Sequence, residues 1–186
     1  MRQPFFICVK ISVEMKRILV VGPSGAGKSY FSRRLGEILK IEVHHLDNLF
    51  WRSDRTHISR EEFDEKLALL LKQDQWIIDG DYSRTYEMRF QACDTIFFLN
   101  LTLEECLDGV QSRIGKSRPD IPWTETSLDQ EFKAWIIRWF DTTLPVLKDM
   151  LERYRHTRTI ITFNSRKEAD EHLARLVPGK PLSKKI

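Results

Sequence analysis

The densest chemistry in the sequence lies in eight consecutive residues, Gly22-Pro23-Ser24-Gly25-Ala26-Gly27-Lys28-Ser29. They spell G-x-x-x-x-G-K-[ST] between the apolar run Arg17-Ile18-Leu19-Val20-Val21 and a helical pattern, the context in which such a loop holds nucleotide phosphates. Its glycines admit positive φ, so successive backbone N–H groups can curl inward around an anion. A helix opening near Gly27 adds the positive end of its dipole at the same point. Lys28 is then placed for the β- and γ-phosphates of ATP, and the Ser29 hydroxyl for a magnesium ion. The competing reading, a glycine-rich turn made only for tight packing, accounts less well for all four fixed positions standing between a strand and a helix.

Phosphoryl transfer asks a protein to hold two oxygens in line and to neutralise charge on the migrating group. Asp79, at the end of the short apolar run Gln75-Trp76-Ile77-Ile78, is the candidate to hold magnesium through water. Asp47, delivered by a second strand, is the candidate to orient or deprotonate an acceptor hydroxyl, and Arg84 to grip an acidic group on that acceptor. Arg113 and Arg118 flank a loop rich in Gly, Pro and Lys, whose closure would carry guanidinium groups onto the γ-phosphate and exclude water. Each has a plainer alternative: Asp79-Gly80 as turn chemistry, Asp47 as a cap, the arginines as solvated surface. Arg138 either reaches the loop or covers apolar surface with its stem. His44-His45 has no third ligand at motif spacing, so no metal site is expected there.

The elements that must position these groups can be read from periodicity. Tyr30, Phe31, Leu35, Ile38 and Leu39 recur at helical spacing after the loop, and that helix should end near Lys40. Ile41 to Leu46 reads as a strand carrying Asp47 and Asn48 at its C-terminal end, and residues 51–60 read as a loop. Ser59 and Glu62 form a capping-box signature for a helix with Phe63, Leu67, Leu70 and Leu71 on its apolar face. A short helix should span about Tyr86 to Gln91, and Asp94 to Leu101 is the clearest core strand. Thr102 and Glu105 repeat the capping box for a helix running to about Ile114. A basic, mobile lid covers about 115–126. From about Ser127 an aromatic helical pattern follows, read as core packing, which Pro145 should kink or divide. Thr159 to Phe163 reads as a last strand before a final helix through Leu173 and Leu176. Five strands alternating with helices predict an α/β parallel sheet flanked on both faces. The phosphate loop, Asp47, Asp79, Asn100 and Asn164 should gather at the strands' C-terminal edge, where ligands bind in such sheets.

Bulk properties set outer limits. A chain of 186 residues suits one domain with one substantial core. A net charge of +3 from 30 basic and 27 acidic residues is too mild to mark a nucleic-acid partner, and no basic helix or aromatic-basic strand motif supports one. Cys8, Cys93 and Cys106 are odd in number and lack ligand spacing, which reads as reduced thiols and a cytoplasmic setting. No apolar run approaches the ~20 residues of a membrane span. Residues 1–14 are expected to be a dispensable extension ahead of a 15–177 domain, and 178–186 a flexible tail.

The order of these pieces resembles the adenylate-kinase-like branch of P-loop small-molecule kinases. Trp76-Ile77-Ile78-Asp79-Gly80-Asp81-Tyr82-Ser83-Arg84-Thr85 is similar to an adenylate kinase stretch of the form G-[FW]-[IL]-[IL]-D-G-[FY]-P-R-T, and Thr143-Leu144-Pro145 is more weakly similar to its T-x-P helix. From Met15 to Leu176 the chain resembles the bacterial DNA topology modulation (FlaR-type) family more closely, through the phosphate loop, His45-Leu46-Asp47-Asn48-Leu49-Phe50-Trp51, Ile78 to Thr85 and Arg118-Pro119-Asp120. The resemblance implies the three-layer P-loop NTPase fold with strand order 2-3-1-4-5, and binding of ATP with Mg2+. The T-G-[DE]-x-[LI]-R element that serves AMP in adenylate kinases has no counterpart. Asp47 stands in its place and resembles the acceptor carboxylate of shikimate- and gluconate-type kinases. Tyr30 replaces a second hydroxyl common after the lysine, weakening an α-phosphate contact, and no four-cysteine zinc pattern occurs in the lid. The expected function is transfer of the γ-phosphate of ATP to a nucleoside, nucleotide or hydroxy metabolite. The alternative is a regulatory or nucleic-acid-associated P-loop protein without a metabolic acceptor.

Overall fold

The computed structural model describes residues 15–177, so the expectations for residues 1–14, Cys8 among them, and for 178–186 lie outside the described residues. Five strands, β1 (Arg17–Val21), β2 (Val43–His45), β3 (Trp76–Asp79), β4 (Thr95–Leu99) and β5 (Thr159–Phe163), form one sheet in the order β2-β3-β1-β4-β5. Every pairing is parallel, as expected. β1 is central: Val20 lies opposite both Asp79 of β3 and Phe97 of β4. Such strands are covered on both faces and therefore carry continuous apolar runs rather than alternation, and β3 and β4 are buried along their whole length.

Alternate residues of β1 feed two cores. Leu19 and Val21 pack with Phe63, Leu67, Tyr86, Phe90, Trp139 and Leu147 of helices α3 (Arg60–Leu71), α4 (Tyr86–Ala92) and α6 (Gln130–Tyr154). Ile18 and Val20 pack with Phe31 and Leu35 of α1 (Lys28–Leu39) and Leu173 of α7 (Arg166–Leu176). Each of these fully buried side chains contributes about 1.5–3 kcal/mol over its exposed state. Cys93 and Cys106 are buried and unbridged. Among the described residues no helix is long and apolar enough to cross a membrane.

Local signals and structure diverge at four places. β2 is only three residues long, and Leu46–Phe50 forms helix α2, because Leu46, Leu49 and Phe50 stand at i, i+3 and i+4 and turn into the core beside Phe63. Asp47 therefore sits in the first turn of a helix rather than at a strand end. Ser59 caps α3 by accepting from the Glu62 N–H at 3.1 Å, but Glu62 pairs with Lys66 at 2.8 Å, so the box is half made. The full capping box forms at α5 (Leu103–Gln111), between Thr102 and Glu105, although that helix stops short of Ile114. Pro145 neither ends α6 nor starts a new helix. Pro145 and Asp141 are both exposed, and an amide-deprived carbonyl on that face is open to water.

Candidate active site

The phosphate loop joins β1 to α1 in the expected strand-turn-helix frame. Gly25 has φ +84°, and a Cβ there would run into the Cys106 carbonyl of α5. The facing Gly109 of α5 has no room for a Cβ against the Gly25 carbonyl. Two glycines thus seat the loop directly on α5, and Arg166 of α7 locks the contact by donating to Gly25 O at 2.9 Å and Glu105 O at 2.7 Å. Gly27, at φ +99°, caps α1, leaving the first N–H groups of that helix for an anion. Lys28 Nζ folds back on Pro23 O at 3.0 Å.

Three carboxylates approach this loop from different elements. Asp79 ends β3 opposite His45 of β2, and His45 Nδ1–H donates to its Oδ1 at 2.7 Å. Asp79 is 3% exposed, and its Oδ2 is buried without a partner. Burial alone would lower the His45 imidazole, but the hydrogen bond and charge of Asp79 outweigh it and hold it above its ordinary value. Asp120, 5% exposed, lies beside the Ser29 hydroxyl and pairs with Arg118 at 3.2 Å and Arg33 at 3.9 Å. Burial pushes its carboxyl up, yet Arg118 and Ser29 prevail and keep it below the ordinary range. Asp47 accepts from the Tyr82 hydroxyl at 2.9 Å. Its burial among protein atoms is the dominant influence and raises its carboxyl, against the Tyr82 bond.

The loop after β3 is held by a residue that the sequence does not advertise. Arg89 of α4 is fully buried and donates to the carbonyls of Gly80 (3.0 Å), Tyr82 (3.1 Å) and Asp81, and to Thr85 Oγ1 (3.0 Å). This collar holds Tyr82 at φ 38°, a left-handed conformation that a bulky side chain adopts only at a cost. The two oxygens of Asp81 accept from the Tyr86 hydroxyl and from Trp139 Nε1, the latter at 2.7 Å.

The lid, residues 115–126, is irregular and tethered at both ends. Gly115 N–H donates to Glu125 O at 2.7 Å, and Asn48 of α2 donates to Pro119 O at 2.6 Å. Arg113 and Arg118 both pair with Glu125, at 3.0 and 3.3 Å. Burial and the neighbouring Arg118 lower the Arg113 guanidinium.

These parts enclose a cleft of about 1050 Å³ at the C-terminal edge of the sheet. Ser24, Gly25, Gly27, Lys28, Ser29, Tyr30, Asp47, Asp79, Arg113 and Arg118 all line it, so most of the residues singled out from sequence converge. Gly22, Pro23 and Ala26 shape the loop from behind, Ala26 being fully buried. Arg84 does not join them: it makes a bidentate pair with Asp64 of α3, both bonds 2.7 Å, on an exposed surface. Asn100 and Asn164 meet at 2.9 Å on the strand edge without lining the cleft. Phe132 and Trp135 of α6 line the cleft rather than fill the core, and Trp135 is 38% exposed. Sequence reasoning missed Arg33, Asp120, Tyr82 and Arg89. Arg33 carried a signal in lying one helical turn beyond Ser29 on the same face of α1, and Tyr82 and Asp120 stood inside the motifs of the resemblance without a role, whereas Arg89 carried none. Among the described residues no group of three or more His, Cys, Asp or Glu is arranged to hold a metal by itself.

No family model matches the chain, and no curated sequence is found as a relative. Solved structures do match. Shikimate kinase from Acinetobacter baumannii, in complex with shikimate, superposes with a TM-score of 0.57 at 17% identity, over 88% of this chain and 93% of that one. Shikimate kinase from Bacteroides thetaiotaomicron gives 0.55 at 17% identity, over 87% and 96%. Deoxyadenosine kinase from M. mycoides, with products dCMP and a flexible dCDP bound, gives 0.46 at 12% identity, over 86% and 95%. The likeness to the shikimate kinases shows a shared fold that runs nearly end to end through both chains, here built on the five-stranded parallel sheet.

Proposed function

We propose that the chain is an ATP-dependent phosphotransferase acting on a hydroxyl-bearing small molecule. The observation that carries this reading is the convergence in one cleft of the phosphate loop with Asp79 and Asp47. The loop N–H groups and Lys28 hold the donor phosphates, Lys28 leaving Pro23 O to do so. The acceptor oxygen forms a bond to the γ-phosphorus, the bond from that phosphorus to the bridging oxygen breaks, and ADP leaves with the electron pair. The hydroxyl proton passes to Asp47, whose raised affinity for protons suits it to receive one. Arg113 and Arg118 exchange Glu125 for phosphate oxygens as the lid closes.

The donors around Ser29 are all hard oxygens: its hydroxyl, Asp120, and Asp79 with an unpartnered buried Oδ2. That set suits Mg2+, which takes few protein ligands and keeps several waters. When bound, Mg2+ offsets charge on the β- and γ-oxygens. Motif likeness to the DNA topology modulation family is compatible with this chemistry, and no basic helix or aromatic-basic strand motif in the sequence favours a nucleic-acid role.

Isothermal titration tests the donor half: the parent protein should bind ATP with Mg2+, and Lys28→Ala should lose that binding. Radiolabelled ATP offered with a panel of hydroxy metabolites, nucleosides and nucleotides tests the other half. Release of inorganic phosphate alone, with no labelled acceptor, would sink the proposal, and steep salt-dependent binding to duplex DNA would then replace it.

A further inference from the structure

We infer that the acceptor end of the cleft is built for an uncharged hydroxyl compound carrying a flat aromatic ring, the chemistry of a nucleoside, and not for a carboxylic acid. This inference rests on the kinase reading above. Two independent features of the cleft point to it.

The first is an aromatic wall. Phe50, Trp51, Tyr82 and Trp123 all line the cleft near Asp47. Trp51 from the end of α2 meets Trp123 from the lid edge to face, with centroids 5.7 Å apart and planes at 84°. Phe50 meets Tyr82 at 5.5 Å and 67°. The Phe50–Tyr82 pair is backed from behind, Phe50 by a stacked His57 at 4.8 Å and 7°, and Tyr82 by Phe63 at 4.9 Å and 26°. Side chains held this way offer ring faces whose order is already established before a ligand arrives. Flat bases bind such faces by stacking, and the same faces give little to an aliphatic acid.

The second feature is the sign of the charge. Fixed charges beside this wall are the carboxylates of Asp47 and Asp81. Asp81 is locked by Tyr86 and Trp139, and Asp47 is engaged within the protein only through Oδ1, which leaves Oδ2 for a hydroxyl. Apart from Arg55 at the rim, the guanidinium groups that an acidic acceptor would need are committed elsewhere. Arg84 is outside on Asp64, and Arg89 is buried on backbone carbonyls. Arg33, Arg113 and Arg118 are paired with Asp120 and Glu125 and linked through Asp120 to Ser29, at the donor end. Arg55 is exposed at the rim, 5.9 Å over Trp123. A carboxylate seated against Asp47 would meet two negative charges, with only the solvated Arg55 at the rim among the cleft's guanidinium groups outside an ion pair, and an exposed charge of that kind contributes little, which is how a site disfavours one ligand class while accepting another.

The test titrates adenosine, guanosine, cytidine, thymidine and shikimate into the full chain held with a non-hydrolysable ATP analogue and Mg2+, and follows phosphate transfer from ATP to each. At least one nucleoside should bind and become phosphorylated, and shikimate should bind at least tenfold more weakly. Trp51→Ala and Trp123→Ala should each weaken the nucleoside about tenfold, Trp51→Phe should restore most of the loss, and ATP affinity should stay within twofold in all three, which also reports that they fold. The inference is overturned if shikimate binds as well as any nucleoside, if none of the nucleosides binds while ATP does, or if both tryptophan variants leave nucleoside affinity intact. Phosphorylation of a non-aromatic acceptor in those cases would leave the kinase reading standing. Failure of the parent chain to bind ATP would remove that reading and this inference together.

Discussion

Arg89→Met is the most informative single change, because it removes a charge that the structure buries completely while keeping most of the side-chain stem. In the parent, one guanidinium serves the carbonyls of Gly80, Asp81 and Tyr82 and the hydroxyl of Thr85. The Tyr82 carbonyl keeps the Thr85 N–H and hydroxyl as donors, so the carbonyls of Gly80 and Asp81 are the ones that go without, at about 1–3 kcal/mol each and about 2–6 kcal/mol together. Part of that returns because a guanidinium no longer has to be desolvated. The net loss is about 2–4 kcal/mol. A domain of this size loses about 2–4 °C of melting temperature per kcal/mol, so circular dichroism should record a fall of about 10 °C. The same bonds hold Tyr82 in a left-handed conformation that costs about 1–3 kcal/mol. Without them the backbone relaxes and the Tyr82 hydroxyl leaves Asp47. The KM for the acceptor should then rise far more than the KM for ATP, which a purely structural loss would not produce. A melting temperature within about 3 °C of the parent and an unchanged acceptor KM would refute the account of the collar.

Further expectations concern the donor side. Because His45 has its imidazole raised above 6.5 by Asp79, the stability from this pair is fully present below pH 6.5 and is lost as pH rises through the higher folded value. Urea unfolding of the nucleotide-free chain should show that decline, and His45→Gln should flatten it; an unchanged slope would remove Asp79 as the cause. His44, lowered by burial, acts in the opposite sense and is present in both proteins. Gly25→Ala should lower the melting temperature more than Gly27→Ala, since both have left-handed φ but only Gly25 faces a backbone carbonyl in the Cβ direction. Equal effects would mean that seating on α5 does not matter.

Much of the fold was legible along the chain because its signals are local. The phosphate loop is eight consecutive residues, the Thr102 cap and its Glu105 partner are three apart, and β3 and β4 are apolar runs whose burial on both faces follows from a parallel sheet. The order of the strands followed from the resemblance built on those motifs. Errors arose where one short pattern serves two structures: Leu46, Leu49 and Phe50 suit the end of a strand or one turn of helix, and packing on Phe63 decided for the helix. Pro145 was tolerated because its face of α6 meets water.

The site divides in the same way. Sequence by itself singled out Lys28 and Ser29 as the residues to meet nucleotide phosphates, and determined that Asp47 and Asp79 reach the same sheet edge, since strand direction delivers them there. Only the tertiary structure decided which charges are free to act. Arg84 and Arg118 are both loop arginines in the sequence, yet Asp64 of α3 draws one outward and Asp120 fastens the other beside Ser29. Asp120, through Arg33, and the ring pair Trp51–Trp123 gain their meaning from partners on other elements, tens of residues away, and Arg89 gains its meaning from the loop just ahead of its own helix. A side chain's reach is local, but its partner is chosen by how the helices pack on the sheet, and that choice set the loop of Gly22 to Ser29 into a cleft with the proposed donor and acceptor ends.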